Sequence, residues 1–349
     1  MPEVMILSQE DIASVLDMKS VIEAVRQAYA YKCSGEAQLF PLVCHSFEDG
    51  KAEMDIKSGT VDGAGIFGLK LVSWFSGNVR LGIPALTGTI VIFDRETGKL
   101  KSVMDGTRIT CMRTGAAGAV GARYLARHDS ENLLMIGAGT QAINLIMATL
   151  EVMEGIQKVT IHDPMSFEQA RRFAAGLKDK MVNEYVSLYR GTPHYDLMIG
   201  RMDIEYTVSE NLERACHQAD IILTATPSRK ALVKTEWVMP GTHLSCIGAD
   251  MEGKQEIEEN LLGMARVFAD DTSQVIAVGE CEKAHKGGIL KKGDIAEIGD
   301  VIRGVIPGRR SRNEITLFDS TGIGIQDLMT AEVAARLACQ KGLHSLVAI

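Results

Sequence analysis

Apolar positions change their spacing several times along the chain, and each change marks a new kind of element. In the stretch that ends at Ser34-Gly35, Val21, Ile22, Val25 and Tyr29 recur at helical intervals, and Ser8 stands as an N-cap before Glu10 and Asp11. Two short helices are predicted there. From about Leu39 to Val103 the texture becomes short β-branched runs broken by glycine, as in FGLKLVSWFSGN and ALTGTIVIFDRETGKL. Such runs predict strands, turns and a mostly antiparallel sheet. Residues 105–127, DGTRITCMRTGAAGAVGARYLAR, read as a turn and an alanine-rich helix that packs closely through its small residues.

At Asn132 the rhythm becomes strand, turn, helix, strand. NLLMIGAGTQAINLIMATLEVM, KVTIHDP, ADIILTATPS, GTHLSCIGAD and VFADD supply successive strands, and their alternation with helices predicts a parallel sheet covered on both faces. The stretch after LFDSTGIGIQD is helical and is expected to return to the N-terminal domain. Residues 183–207, NEYVSLYRGTPHYDLMIGRMDIEYT, break the rhythm. They read as a surface insertion, inert or else a lid or subunit contact.

A length of 349 residues fits two domains, and 46% hydrophobic with 23% charged residues is a globular balance that argues against extended disorder. The net charge of −8 argues against a nucleic-acid surface, which needs concentrated Lys and Arg. The seven cysteines are scattered without CxxC pairing, and they read as reduced, mostly buried thiols. The first residues lack a basic and then apolar leader, and no run reaches the roughly 20 apolar residues that cross a bilayer, so the expected compartment is the cytoplasm. His45, His243 and His285 lack metal-ligand spacing and are read as structural, with no metal assigned.

The strongest local motif is Gly137-Ala138-Gly139-Thr140-Gln141-Ala142, between a strand and a helix. Its first glycine permits the tight turn, its second lets backbone approach a pyrophosphate, and its small last position lets helix and strand pack. The helix N-terminus offers N–H groups to the phosphates. Asp163 ends the next strand, where a carboxylate accepts hydrogen bonds from the adenosine ribose and repels a 2′-phosphate, favouring NAD over NADP, with a residue that merely starts a turn with Pro164 as the alternative. Arg171 and Arg172 follow closely enough to keep NADP open. Thr224-Ala225-Thr226, beyond the strand DIIL, would line the cofactor crevice.

Arg113 with the following TGAAG, then GAGTQA, then IGADMEGKQEI at 247–257, resembles in order and spacing the ornithine cyclodeaminase and mu-crystallin family. The likeness runs from Gly68-Leu69-Lys70 to the STGIGIQD of Ser320–Asp327. It implies an α/β fold: a Rossmann-type doubly wound parallel sheet at 128–319, and an α+β substrate-binding and dimerisation domain at 1–127 with 320–349. It also implies a homodimer and NAD-dependent hydride transfer at the α-carbon of an amino acid or its imine. Lys70 resembles the family's substrate-binding and catalytic lysine, with a solvent-facing edge lysine as the alternative. Arg113 resembles its carboxylate-binding arginine, with a structural salt bridge as the alternative. Asp250 resembles the catalytic aspartate that binds and deprotonates the α-amine, or else a plain helix cap. Glu53 matches less securely a glutamate that activates water or amine, with a solvent-facing strand carboxylate as the alternative.

One departure matters. Members acting on free amino acids commonly carry an arginine upstream of that glutamate, after a proline, whereas this chain reads Phe40-Pro41-Leu42-Val43-Cys44-His45. Three readings stay open: an amino-acid dehydrogenase or imine reductase; a cyclodeaminase releasing ammonia without net NADH; and a non-catalytic nucleotide-dependent binding protein.

Overall fold

The chain builds most of one unit, completes a second, and returns to the first. A computed structural model describes residues 3–48 and 50–348. Its units are Met1–Arg113 with Ile323–Ile349, and Thr114–Gly322. The division falls earlier than the boundary at 127/128 read from the sequence, because it cuts through the helix Thr107–Leu125. The small residues of that helix's second half belong to the second unit's core: a Cβ at Gly118 would lie 2.5 Å from the Leu145 side chain, and one at Gly121 2.6 Å from the Phe318 ring. The return also falls later, at Gly322/Ile323 rather than 319/320.

Among the described residues of the first unit, eight strands form one sheet, in the order Ser345–Ala348, Glu3–Leu7, Leu100–Asp105, Leu86–Asp94, Ile66–Phe75, Ala52–Val61 and Ala37–Leu39, with Val43–Glu48 also paired to Ala52–Val61. The sheet is antiparallel except where Glu3–Leu7 runs parallel to Leu100–Asp105. Ser8 caps Gln9–Val15 in a reciprocal box with Asp11, and Gly35, at φ 83°, ends Met18–Ser34. The helix Gly324–Lys341 lies on the sheet where glycines clear the way: a Cβ at Gly59 would stand 3.1 Å from Ile325, and one at Gly68 3.1 Å from Leu328.

Eight strands of the second unit form one parallel sheet, in the order Glu205–Val208, Lys158–His162, Asn132–Ile136, Ile221–Thr224, His243–Cys246, Thr316–Asp319, Arg266–Ala269 and Ala296–Glu297, and Arg229–Val233 pairs with Gln255–Ile257 in a separate parallel pair. Leu133, Leu134, Met135 and Ile136 are all buried, as a strand covered on both faces requires. The order reverses between Asn132–Ile136 and Ile221–Thr224, which opens a crevice at their C-terminal ends.

Residues 183–207 correct the expectation of an insertion. They form the end of Phe167–Glu184, a 3-10 turn Val186–Tyr189, the helix Pro193–Arg201 and the start of the edge strand Glu205–Val208. Tyr185, Val186, Met198 and Met202 are buried, and the Tyr185 hydroxyl donates to Asn144 Oδ1 at 2.8 Å. These apolar residues sit in pieces too short for a periodicity to register. The cysteines are free but less buried than expected: Cys216, Cys246 and Cys281 are buried, Cys33 and Cys111 half-buried, Cys44 and Cys339 exposed.

Gly68 and Gly77 give opposite expectations. A Cβ at Gly68 would overlap the Val91 carbonyl oxygen, whereas one at Gly77 meets nothing within 4 Å. Gly68→Ala is expected to cost about 3 kcal/mol and Gly77→Ala to stay within about 0.5 kcal/mol, measured by urea denaturation.

Candidate functional site

The second unit shapes a nucleotide cradle at its reversal point. Gly137 follows the strand Asn132–Ile136 with φ 104°, and a Cβ there would lie 2.8 Å from the Ala225 carbonyl oxygen, so the position admits only glycine. Its N–H donates to His162 O at 2.8 Å. Gly139 is the N-cap of the helix Thr140–Val152 and brings no side chain to cap it, and a Cβ at Gly139 would meet nothing within 4 Å. An open glycine beside an uncapped helix start matches what a pyrophosphate needs. Asp163 stands over this loop: Oδ2 accepts from Ala138 N–H at 3.0 Å, and Oδ1 accepts from Met165 and Ser166 N–H, each at 3.0 Å. Arg171 and Arg172 both lean to Glu168, at 3.6 Å.

Thr224 and Thr226 are buried, and their hydroxyls donate to Glu256. The Glu256 carboxylate accepts from Thr224 Oγ1 at 2.6 Å, Thr226 N–H at 2.6 Å, Thr226 Oγ1 at 2.7 Å and Gly248 N–H at 2.9 Å. It ties the Thr224–Thr226 turn to the one leading into Asp250. Burial pushes the Glu256 carboxyl up, against the pull of these donors. A Cβ at Gly248 would lie 2.5 Å from the Glu256 carboxyl carbon, which explains the glycine in IGAD. Sequence reasoning quoted this motif and gave Glu256 no role; its place between Gln255 and Ile257, both buried, shows only in the structure.

Asp250 stands in the loop beyond His243–Cys246, half open to solvent, with Oδ1 2.5 Å from Lys254 Nζ. His243 is buried between Thr316 and Ser245, and burial, then Arg309, pushes it down to about 3. His285 Nδ1 lies 3.0 Å from Leu290 O, and His45 is exposed.

In the first unit, Lys70 and Arg113 come together. Lys70 lies on a central strand at 2% exposure, which removes the edge-lysine alternative. Lys70 Nζ and Arg113 Nε both reach Oδ1 of Asp327, at 2.9 Å each, and Arg113 Nη1 lies 3.4 Å from Gln326 Oε1. Asp327 is fully buried, and its Oδ2 accepts no hydrogen bond. Burial and the Arg113 charge bring the Lys70 ammonium down to about 7, against the pull of Asp327. Burial raises the Asp327 carboxyl, but Arg113 and Lys70 more than offset it and hold it below the usual range. Asp327 closes the STGIGIQD motif and was also missed; a carboxylate in the first turn of an apolar helix was its signal. Glu53 shares the Lys70 face but pairs with Trp74, four residues along the strand from Lys70.

The model of the ornithine cyclodeaminase/mu-crystallin family matches residues 2–189 and 185–340. The chain belongs to this family. It is 36% identical over 346 residues to an alanine dehydrogenase of Archaeoglobus fulgidus, covering 99% of this chain and 98% of the relative. It is 30% identical over 345 residues to an iminosuccinate reductase of Paracoccus denitrificans, covering 99% and 100%. The solved structure of an archaeal alanine dehydrogenase dimer with bound NAD superimposes with a TM-score of 0.87 at 35% identity, over 100% of both chains.

The depressed Lys70 has a measurable consequence. Between pH 7 and its ordinary value of 10.5 the unfolded chain keeps the Lys70 proton that the folded chain releases, so its contribution to stability improves as pH rises through that window. The stability of Lys70→Met relative to the parent protein is expected to fall by about 1–3 kcal/mol between pH 7 and pH 9. A constant difference in urea denaturation would refute the assignment.

Proposed function

We propose that the protein is an NAD-dependent oxidoreductase acting at the α-carbon of an amino acid or its imine. The observation that carries this reading is the buried pair Lys70 and Arg113, sharing one carboxylate oxygen, in a chain whose other unit holds an intact dinucleotide cradle. The alanine dehydrogenase and iminosuccinate reductase relatives support it. Bound NAD supplies a hydride acceptor for the amino acid, and NADH a hydride donor for the imine. The start of Thr140–Val152 holds the pyrophosphate, and Asp163 accepts from the ribose hydroxyls while repelling a 2′-phosphate, so NAD is preferred to NADP.

Lys70 and Arg113 bind the substrate carboxylate, Arg113 through its planar fork. Asp250 binds the α-amine and takes its proton, which frees the nitrogen lone pair to assist as hydride leaves the carbon. Lys254, at 2.5 Å, holds that carboxylate until the amine arrives. A second reading, cyclodeamination, draws on Glu53, a carboxylate on the Lys70 face able to activate an amine or water.

Absorbance of reduced nicotinamide is to be followed with a panel of amino acids, 2-oxo acids with ammonia, and cyclic imines, with ammonia assayed in parallel. A net change with one substrate is expected, and Asp163→Ala should raise the KM for NAD at least tenfold. Ammonia release without net change in NADH would move the assignment to the lyase. Silence in both channels would leave a nucleotide-dependent binding protein.

The working form is a homodimer. In the first unit's sheet, Val43 and Leu71 flank Ile56 on the face opposite Lys70, and both stay exposed, at 49% and 36%. Such an apolar cross-strand row favours a protein partner over water. Sedimentation equilibrium is expected to give twice the chain mass of 37.9 kDa, and a single-chain mass would reject the dimer.

A further inference from the structure

Asp250 sits in the turn between His243–Cys246 and Gln255–Ile257, and that turn is fastened more firmly than its exposure suggests. Gly253, at φ 78°, takes the left-handed conformation that lets the chain double back, and Lys254 N–H closes the turn on Met251 O at 3.2 Å. The reversal returns Lys254 Nζ to Asp250 Oδ1. Buried carboxylates hold the turn at both ends. Before Asp250, Glu256 accepts from Gly248 N–H at 2.9 Å; after it, Glu282, on the helix Cys281–Lys286, accepts from Gly253 N–H at 2.8 Å.

Glu282 is 3% exposed, and a carboxylate so buried needs partners that replace its lost water. Its Oε2 takes the Gly253 N–H, and its Oε1 takes Lys286 Nζ at 2.7 Å. Lys286 reaches on to Glu252 Oε1 at 3.2 Å, so the clamp grips both a side chain and the backbone of the same turn. Burial raises the Glu282 carboxyl, but Lys286 and Gly253 more than offset it and hold it below the usual range. Arg229 Nη1 adds a bond to Glu252 O at 3.0 Å. These contacts converge two and three residues past Asp250. A half-exposed carboxylate on an unfastened loop would swing, and misplacing a reacting group by about 1 Å can cost about a hundredfold in rate.

We propose that Glu282 is a positioning residue: its grip on Gly253 sets where Asp250 meets the α-amine of the substrate. The proposal rests on the reading of Asp250 as the group that takes the amine proton.

Glu282→Met and Glu282→Gln, in the full chain with NAD or NADH, test it. With whichever substrate responds, Glu282→Met is expected to lower kcat and kcat/KM together by about tenfold to a hundredfold, with KM within about threefold, the signature of an interaction made in the transition state. Glu282→Gln keeps an oxygen for the Gly253 N–H and should restore most of the rate, and the Kd for NADH should not change in either variant. Added to Asp250→Asn, Glu282→Met should cost no more than about twofold, because a residue that acts through Asp250 then has nothing left to position. Where Asp250→Asn has no measurable turnover, the loss in Glu282→Met and its recovery in Glu282→Gln decide. The Gly253 amide should also exchange with deuterium about tenfold faster in Glu282→Met. A kcat like that of the parent protein, an unchanged Gly253 exchange rate, or an equal loss with and without Asp250 would overturn the assignment. Should Glu282→Met not fold, Glu282→Asp, which keeps the charge but shortens its reach, carries the same expectations. If the parent protein turns over no amino or imino acid, or Asp250→Asn matches it, the functional reading fails, and the Gly253 exchange rate still decides whether Glu282 holds the turn.

Discussion

Oδ1 of Asp327 is the atom on which the first unit's buried charge cluster depends. It joins the strand Ile66–Phe75, the helix Thr107–Leu125 and the helix Gly324–Lys341, through partners 257 and 214 residues away in sequence. Burying three charges is costly, and an apolar core of the same volume would be at least as stable. The arrangement is a poor stabilising device and a good chemical one. It holds two cations out of water, where they act on a carboxylate more strongly than exposed cations would. Removing Asp327 would leave both cations buried and unpaired, so the carboxylate is what makes their burial tolerable.

Glu256 has the corresponding part in the second unit, through hydrogen bonds instead of ion pairs. Four donors from two turns converge on one buried carboxylate, while its own N–H and that of Ile257 donate to Glu280 at 3.0 and 2.6 Å. Side-chain donors that looked available for a ligand are thus committed to shaping the crevice. What remains at the crevice is mostly backbone: an uncapped helix start, an open glycine, and Asp163 anchored by three N–H groups. Backbone is well suited to a cofactor, because it cannot rotate out of place when the ligand leaves.

Local features were legible in the sequence. The glycine loop, Asp163, the capped first helices, the change from antiparallel to parallel texture, and the returning final helix each declare themselves within a few residues. Lys70 and Arg113 were legible through their flanking motifs. Asp327 and Glu256 were not, because each gains its meaning from partners remote in the chain. Residues 183–207 failed for a different reason: buried tyrosines and methionines spread over a 3-10 turn, a short helix and an edge strand leave no period to detect. The boundary at Arg113/Thr114 was hidden because one unbroken helix serves both units.

The charge of the whole chain and that of the Lys70 face have opposite signs, and the contrast bears on selectivity. A chain of net charge −8 repels anions at long range, yet Lys70 and Arg113 outnumber Asp327 within one cluster. Salt screens the long-range repulsion over about 8 Å at physiological ionic strength, but it hardly reaches buried charges. The exposed acidic surface therefore discriminates weakly in the cell, whereas the buried cations keep their pull. Under the proposed function, a substrate carboxylate meets Lys70 at 2% exposure and Arg113 at 6%, where each hydrogen bond is strengthened by the low local dielectric. On the same reading, a neutral amine or ketone lacking that group forfeits the interaction. On that reading, recognition of the acid does not depend on which side chain the substrate carries.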